Sequence, residues 1–354
     1  MDFNLTEERQ MLSDMLTRFL TEQYQLEHRN SVAYDAPFHD PSKWKEMARL
    51  GVFAALANET DGGLAGSGAD IAVVFKALGH ALNCEPTLPL LMSSRLLSGA
   101  EKDQTALLEG TVHYAVAIAE PDAPYNIADI IVTARDDHRL SGRKTSVYGG
   151  NIADQFLVAA KAGELLNLYQ VEAKDAEVIP YGLIDGGGAA EVLFDNTKAE
   201  LLVENAKPTI QDAIDAGIVG LCSEAVGIMT TTHQITVDYL KNRKQFGRSI
   251  GSFQVLQHRA VDMLIEIEQS RSITIKAAYE LGGPNASRFS SMAKYMIGQT
   301  GRLVAEEAIQ MHGGIAMTWD YAVSHYAKRL IMIDHQLGDM DFHLSQITKT
   351  LDIS

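Results

Sequence analysis

The residues best suited to chemistry lie in two short runs. The first is Arg243-Lys244-Gln245-Phe246-Gly247, followed by Phe253-Gln254 and Gln257. A cationic cluster at a helix end, closed by a glycine turn, offers planar donors to an anionic group such as a pyrophosphate. The same residues also read more plainly, as cations complementing a helix dipole with Gly247 as the helix stop. The second run is Gln310-Met311-His312-Gly313-Gly314-Ile315-Ala316. Paired glycines after a helix let a ligand approach the backbone, whose N–H groups bind phosphate oxygens. Alternatively they only end the helix. His312 has no partner at metal spacing, and Ser and His form no recognisable nucleophile constellation.

Three blocks must position these runs. Apolar residues recur at helical spacing from Leu5 to Leu20, with Thr6 as a cap, then around Pro41 to Leu50 and from Ile71 to Leu82. From Val112 the pattern turns to short β-prone runs: Tyr114–Ile118, Ile130–Val132, Gln155–Val158 and Glu191–Phe194. No G-x-G-x-x-G follows a strand, which disfavours a Rossmann site. After Pro208 the helical period returns, predicting helices over Thr209–Lys241, Phe253–Leu281 and Arg288–His312. The order is α, β, α.

Composition narrows the partners. The 354 residues carry 30 basic and 46 acidic side chains, a net charge of −16 that repels nucleic acid and anionic membranes. No signal peptide is expected at Met1–Asn4, and no apolar run of membrane-spanning length. Cys84 and Cys222 stand alone, without metal or disulfide spacing. These features point to a cytoplasmic protein.

Together, R-x-x-F-G, F-Q and Q-x-x-G-G on an α-β-α chain resemble the acyl-CoA dehydrogenase family. Trp44 to Gly51 is similar to its W-x-x-x-A-x-x-G helix, Glu59-Thr60-Asp61-Gly62-Gly63 to its P-E-x-x-G-G segment with Asn58 in place of the proline, and Ala119-Glu120-Pro121 to its T-E-P strand. The resemblance implies the acyl-CoA dehydrogenase fold: an N-terminal α-helical domain over 1–111, a middle β-barrel or sandwich domain over 112–207, and a C-terminal four-helix-bundle-like domain over 208–354. It also implies FAD. Arg243, Phe246 and Gln254 would contact the pyrophosphate and adenosine half, and Gln310, Gly313 and Gly314 the adenosine end, all on a flavin seated in the neighbouring subunit. Ala316 stands where the family usually has glycine.

Elsewhere the chain departs from the family. The flavin-cradling Thr of T-E-P is Ala119, and the W-[IS]-[TS] segment reads Thr145-Ser146-Val147-Tyr148. Desaturation needs a carboxylate base near the flavin. Its usual position, 27 residues beyond Gln310, is Leu337, followed by Gly338; the alternative, 26 residues before Arg243, is Gly217. Asp215 matches a substrate-touching acid, but the arginine three residues on is Ile218. Asp212, Glu224, Asp339 and Asp341 remain as outside base candidates.

The pattern resembles the small, FAD-supporting subunit of heteromeric α2β2 bacterial acyl-CoA dehydrogenases, which act on steroid side-chain or dicarboxylyl-CoA thioesters such as pimeloyl-CoA. A second acyl-CoA dehydrogenase subunit would supply the base, and an electron-transfer flavoprotein would accept the electrons. The alternatives are a self-sufficient homotetramer with an unusual base, and a non-catalytic binding protein on the same fold.

Overall fold

The computed structural model describes residues 5–64 and 66–351. Met1–Asn4, read above as lacking a signal peptide, lie outside them. In chain order the structure runs α1 (Glu7–Gln23), α2 (Leu26–Ala33), α3 (Pro41–Arg49), α4 (Gly68–His80), α5 (Thr87–Gly99) and α6 (Thr105–Leu108). The strands follow: β1 (Tyr114–Ala117), β2 (Thr133–Ala134), β3 (Arg139–Tyr148), β4 (Gln155–Ala162), β5 (Leu165–Glu172), β6 (Glu177–Gly182), β7 (Gly188–Lys198) and β8 (Glu200–Val203). The chain then continues through α7 (Lys207–Asn242), β9 (Lys244–Gln245), β10 (Arg248–Ser249), α8 (Gln254–Glu280), α9 (Ala286–His312), α10 (Ala322–Asp334) and α11 (Met340–Lys349). The expected order of helices, sheet and helices is what forms, and Thr6 caps α1 by accepting from the Arg9 N–H.

Contacts gather the chain into two compact units. One comprises Met1–Leu26, Ile71–Asn83 and Ile218–Ser354; the other comprises Glu27–Asp70 and Cys84–Gly217.

The second unit is built on one eight-stranded sheet, ordered β6-β7-β3-β2-β4-β5-β8, with β1 pairing in parallel to β4. Its core holds Val132, Leu140, Val147, Phe156, Val158, Tyr169, Val192 and Phe194. Two polar groups sit inside. The Lys144 ammonium donates to the Glu120 carboxylate (2.8 Å) and the Ile118 carbonyl (2.9 Å). The same carboxylate accepts from the backbone N–H groups of Ile131 (2.7 Å) and Val132 (3.0 Å). This corrects the expected strand at Ile130–Val132. A side chain satisfies those amides in place of a ladder, and pairing begins only at Thr133. Burial pushes the Lys144 ammonium down to about 8, and the adjacent carboxylate offsets only part of that shift.

The first unit is helical. α8 and α9 run side by side, bridged by Ser270–Thr300 (2.9 Å) and Arg259–Glu307 (2.5 Å). α4 crosses α7 with backbones close enough that a methyl group on Gly79 would lie 2.1 Å from the Glu224 carbonyl, and one on Gly227 2.2 Å from that of Lys76. α7 corrects a second expectation. It is long and apolar enough to cross a bilayer by length and composition, although 89% of its most apolar window is buried within the protein. Interleaved Gly, Ala and Thr residues dilute the run in sequence, and burial accounts for its apolar character.

Three histidines are held neutral by burial, His80, His113 and His343, each pushed down to about 4. Unfolded imidazoles protonate near 6.5, so between pH 6.5 and about 4 the unfolded chain binds protons that the folded chain refuses. Stability is therefore complete above 6.5 and is lost as the pH falls through this window. Calorimetric unfolding near pH 5 in buffers of different ionisation enthalpy is expected to show an uptake of nearly three protons from these groups. Replacing all three with glutamine should remove that uptake.

Candidate functional site

The first run folds as a β-hairpin. α7 stops at Asn242, and the Ser249 hydroxyl donates to the Leu240 and Lys241 carbonyls, both at 2.8 Å, closing the helix end. β9 and β10 then pair antiparallel, Gln245 opposite Arg248 and Lys244 opposite Ser249. Phe246 (φ 53°) and Gly247 (φ 78°) form the two-residue loop, with the positive φ at both positions that a type I′ turn requires. Gly247 is therefore not a helix stop, since it lies five residues past the end of α7. Arg243, Lys244 and Arg248 are exposed, and Phe246 is 88% exposed. The Arg248 guanidinium lies 4.1 Å over the Phe253 ring, which Phe246 meets edge-on at 6.2 Å. Gln254 opens α8 at the surface, while Gln257 donates to the Gly251 carbonyl (2.8 Å) and so braces the loop.

The second run ends α9. Gly313 takes φ 67° and ψ −147°, a conformation essentially confined to glycine. Beside Gly313 and Gly314 lies open space: a methyl group on either would meet nothing within 4 Å. Gln310 is exposed one turn earlier. Ala316 is fully buried in the following 3-10 turn. His312 is buried, its Nδ1–H donating to the Ala308 carbonyl (2.8 Å), and burial lowers its pKa so that it is neutral.

The two runs meet at Tyr239, which the sequence reading missed. Its carbonyl accepts from the Arg243 N–H (2.8 Å), and its phenol donates to the His312 carbonyl (3.2 Å). An aromatic residue one helical turn before the arginine was the only signal available.

The positions expected to carry a base are filled otherwise. Leu337 sits in the left-handed region (φ 55°) next to Gly338 (φ 109°). Their turn is held by the buried Lys294 ammonium, which donates to the Asp334 (2.9 Å) and Gly338 (2.6 Å) carbonyls, and by His343 Nε2 against the Leu337 carbonyl (3.0 Å). Burial lowers Lys294 to about 8. Gly217 lies buried inside α7. Of the outside candidates, Glu224 is gripped at both oxygens by Arg329 (2.6 and 2.8 Å), and Asp339 caps α11 by accepting from the Phe342 N–H. Asp212 stands 3.9 Å from Arg95, partly in solvent, and Asp341 is exposed. Asp215 is buried and accepts from Gln211 (3.1 Å). Among the described residues no cluster is placed to hold a metal.

In the sheet-bearing unit the flavin-cradling groups do not fit. Ala119 offers no hydroxyl, and the Thr145 hydroxyl is bonded to Glu191 (2.6 Å). Ser146 takes φ 49° where the β3–β7 register shifts, and it hydrogen-bonds Tyr181. No indole stands at this position to flank a flavin ring. By contrast, the exposed cations and the open glycine turn fit an anionic dinucleotide.

The glycine turn gives a separable pair of variants. Gly313→Ala forces a non-glycine conformation and should cost about 1–3 kcal/mol in denaturant unfolding. Gly314→Ala has room and no positive φ, so its stability should match wild type, and any loss of ligand binding by that variant reports on the turn's surface.

Comparison with known proteins agrees with this architecture. Residues 6–99 match the acyl-CoA dehydrogenase N-terminal domain, and residues 208–351 match the C-terminal domain. The acyl-CoA dehydrogenase IpdE2 of Mycobacterium tuberculosis is 30% identical over 334 residues, covering 91% of both chains. Two solved structures share the fold: the ChsE4–ChsE5 complex of Mycobacterium tuberculosis (TM-score 0.91, 22% identity, all of both chains) and a Tcur3481–Tcur3483 steroid ACAD variant (TM-score 0.90, 23% identity, 97% of both). With both terminal domains matched and that degree of identity across nearly the whole length, the chain belongs to the acyl-CoA dehydrogenase family.

Proposed function

We propose that the chain is the supporting subunit of a heteromeric acyl-CoA dehydrogenase. In this reading it completes a flavin site whose ring and catalytic base belong to a second subunit. The observation that carries the reading is a contrast within one molecule. The segments that would serve a neighbour's flavin are exposed and uncommitted, whereas both base positions lack a carboxylate and the chain's own flavin wall is absent.

FAD is the family's cofactor and supplies a two-electron acceptor for hydride when bound. The chain's residues do the holding. Arg243 offers a charge-assisted fork to pyrophosphate oxygens, Phe246 and Gln254 flank the adenosine half, and Gln310 with the Gly313–Gly314 turn receives the adenosine end. In this reading the α-proton is not taken on this chain, where Leu337 has no basic atom and the Glu224 oxygens are occupied by Arg329. The partner subunit takes the α-proton. The named similarity to a steroid ACAD and to a two-component complex supports an α2β2 assembly acting on a steroid side-chain CoA thioester, with dicarboxylyl-CoA as the other substrate class. An electron-transfer flavoprotein is the acceptor in this reading, as the family resemblance implies.

Co-expression with an acyl-CoA dehydrogenase encoded beside it tests the assignment. The chain alone should be colourless and inactive, and the pair should carry one FAD per two chains and desaturate acyl-CoA. One FAD per chain in the isolated protein overturns the reading. Arg243→Ala in this chain should weaken flavin retention by the pair about tenfold or more; undiminished flavin refutes the assignment of Arg243.

A further inference from the structure

The last carbonyls of a helix have no intrahelical donor and need partners from elsewhere. At the end of α9 the exposed glycine turn begins immediately after His312, so whatever satisfies the His312 carbonyl also fixes where the turn starts. The donor is the Tyr239 phenol, reaching across from α7 at 3.2 Å. The ring of Tyr239 packs on the His312 imidazole, centroids 4.4 Å apart and 31° between planes. Tyr321 closes the cluster from the start of α10, 5.3 Å from His312 and 6.5 Å from Tyr239. His312 cannot rotate freely, because its Nδ1–H is bonded to the Ala308 carbonyl. One turn past Tyr239 on its own helix, the Arg243 N–H donates to the Tyr239 carbonyl. A single residue therefore anchors the base of the cationic hairpin with its backbone and the glycine turn with its side chain.

We infer that Tyr239 is a positioning residue: its phenol sets the separation between Arg243 and the Gly313–Gly314 turn, and so the span over which the chain grips a pyrophosphate-bearing ligand. This deepens the proposed FAD-supporting role and rests on it. Two contact points on one rigid ligand must match it closely, and sites lose affinity quickly once their spacing relaxes. Tyr239 need not touch the ligand. Tyr239→Phe keeps the stacked ring and deletes only the donor, leaving a helix carbonyl free to swing toward the turn.

The test uses the co-expressed pair, with FAD retention and ADP competition as readouts beside thermal stability. Tyr239→Phe should weaken flavin binding about tenfold while leaving the KM for acyl-CoA unchanged in flavin-saturated enzyme. If it acts through the spacing of the two runs, Tyr239→Phe combined with Arg243→Ala should lose little more than Arg243→Ala alone, since residues acting through one another are not additive. Ser270→Ala removes a buried bond between α8 and α9 and serves as the stability control, expected to lower Tm while flavin affinity holds. Should Arg243→Ala weaken binding while Tyr239→Phe does not, the phenol is only packing and the inference falls. Equal flavin loss in Tyr239→Phe and Ser270→Ala at matched Tm also overturns it. Where neither Arg243→Ala nor Tyr239→Phe alters flavin binding, the supporting role itself is wrong.

Discussion

Helix ends govern the helical unit. Long helices leave carbonyls at their C-termini without donors, and here the ends of α4, α7, α9 and α10 each accept from a side chain of another element. Tyr326 of α10 donates to the His80 carbonyl at the end of α4, Ser249 of the hairpin closes α7, Tyr239 of α7 closes α9, and Lys294 of α9 closes α10. These four links tie the helix ends to neighbouring elements. Both candidate binding runs lie directly beyond two of these ends, so the polar satisfaction of the backbone and the placement of the site are one problem.

The two buried lysines show how differently the same group is accommodated. Lys144 is neutralised by Glu120, which also organises the loop before β2, so one ion pair fixes both a strand and its approach. Lys294 donates to main-chain carbonyls only, apart from its long-range attraction to Asp334 and Asp339. Carbonyl dipoles replace a counter-ion at the Leu337–Gly338 turn. That turn keeps a tightly specified backbone, with Leu337 in a left-handed conformation that costs a branched side chain of this size about 1–3 kcal/mol.

The helical blocks were legible because their apolar period is long and their stops are glycine or polar clusters. Thr6, α4 and the three long helices of the C-terminal half all follow from that signal. The runs at Arg243 and Gln310 were equally visible, since their residue types are unusual together. What stayed hidden depends on partners distant in sequence. Ile130–Val132 has strand composition, but its amides go to Glu120; β3 has a polar sequence and pairs because Lys144 is neutralised inside. The hairpin at Phe246 could not be told from a helix stop, because only the φ angles of two residues separate those outcomes. Tyr239 has no motif around it, and its role appears only when α7 and α9 are adjacent.

Phe246 has a consequence of another kind. A phenyl ring at 88% exposure, on the tip of a two-residue turn flanked by three cations, stands out from a chain of net charge −16. Burying such a ring against another surface is worth about 1.5–3 kcal/mol, or roughly a ten- to hundredfold change in a dissociation constant. In an assembly with two such tips, that gain would recur at both. The turn thus carries apolar area whose free energy only contact with another surface can release.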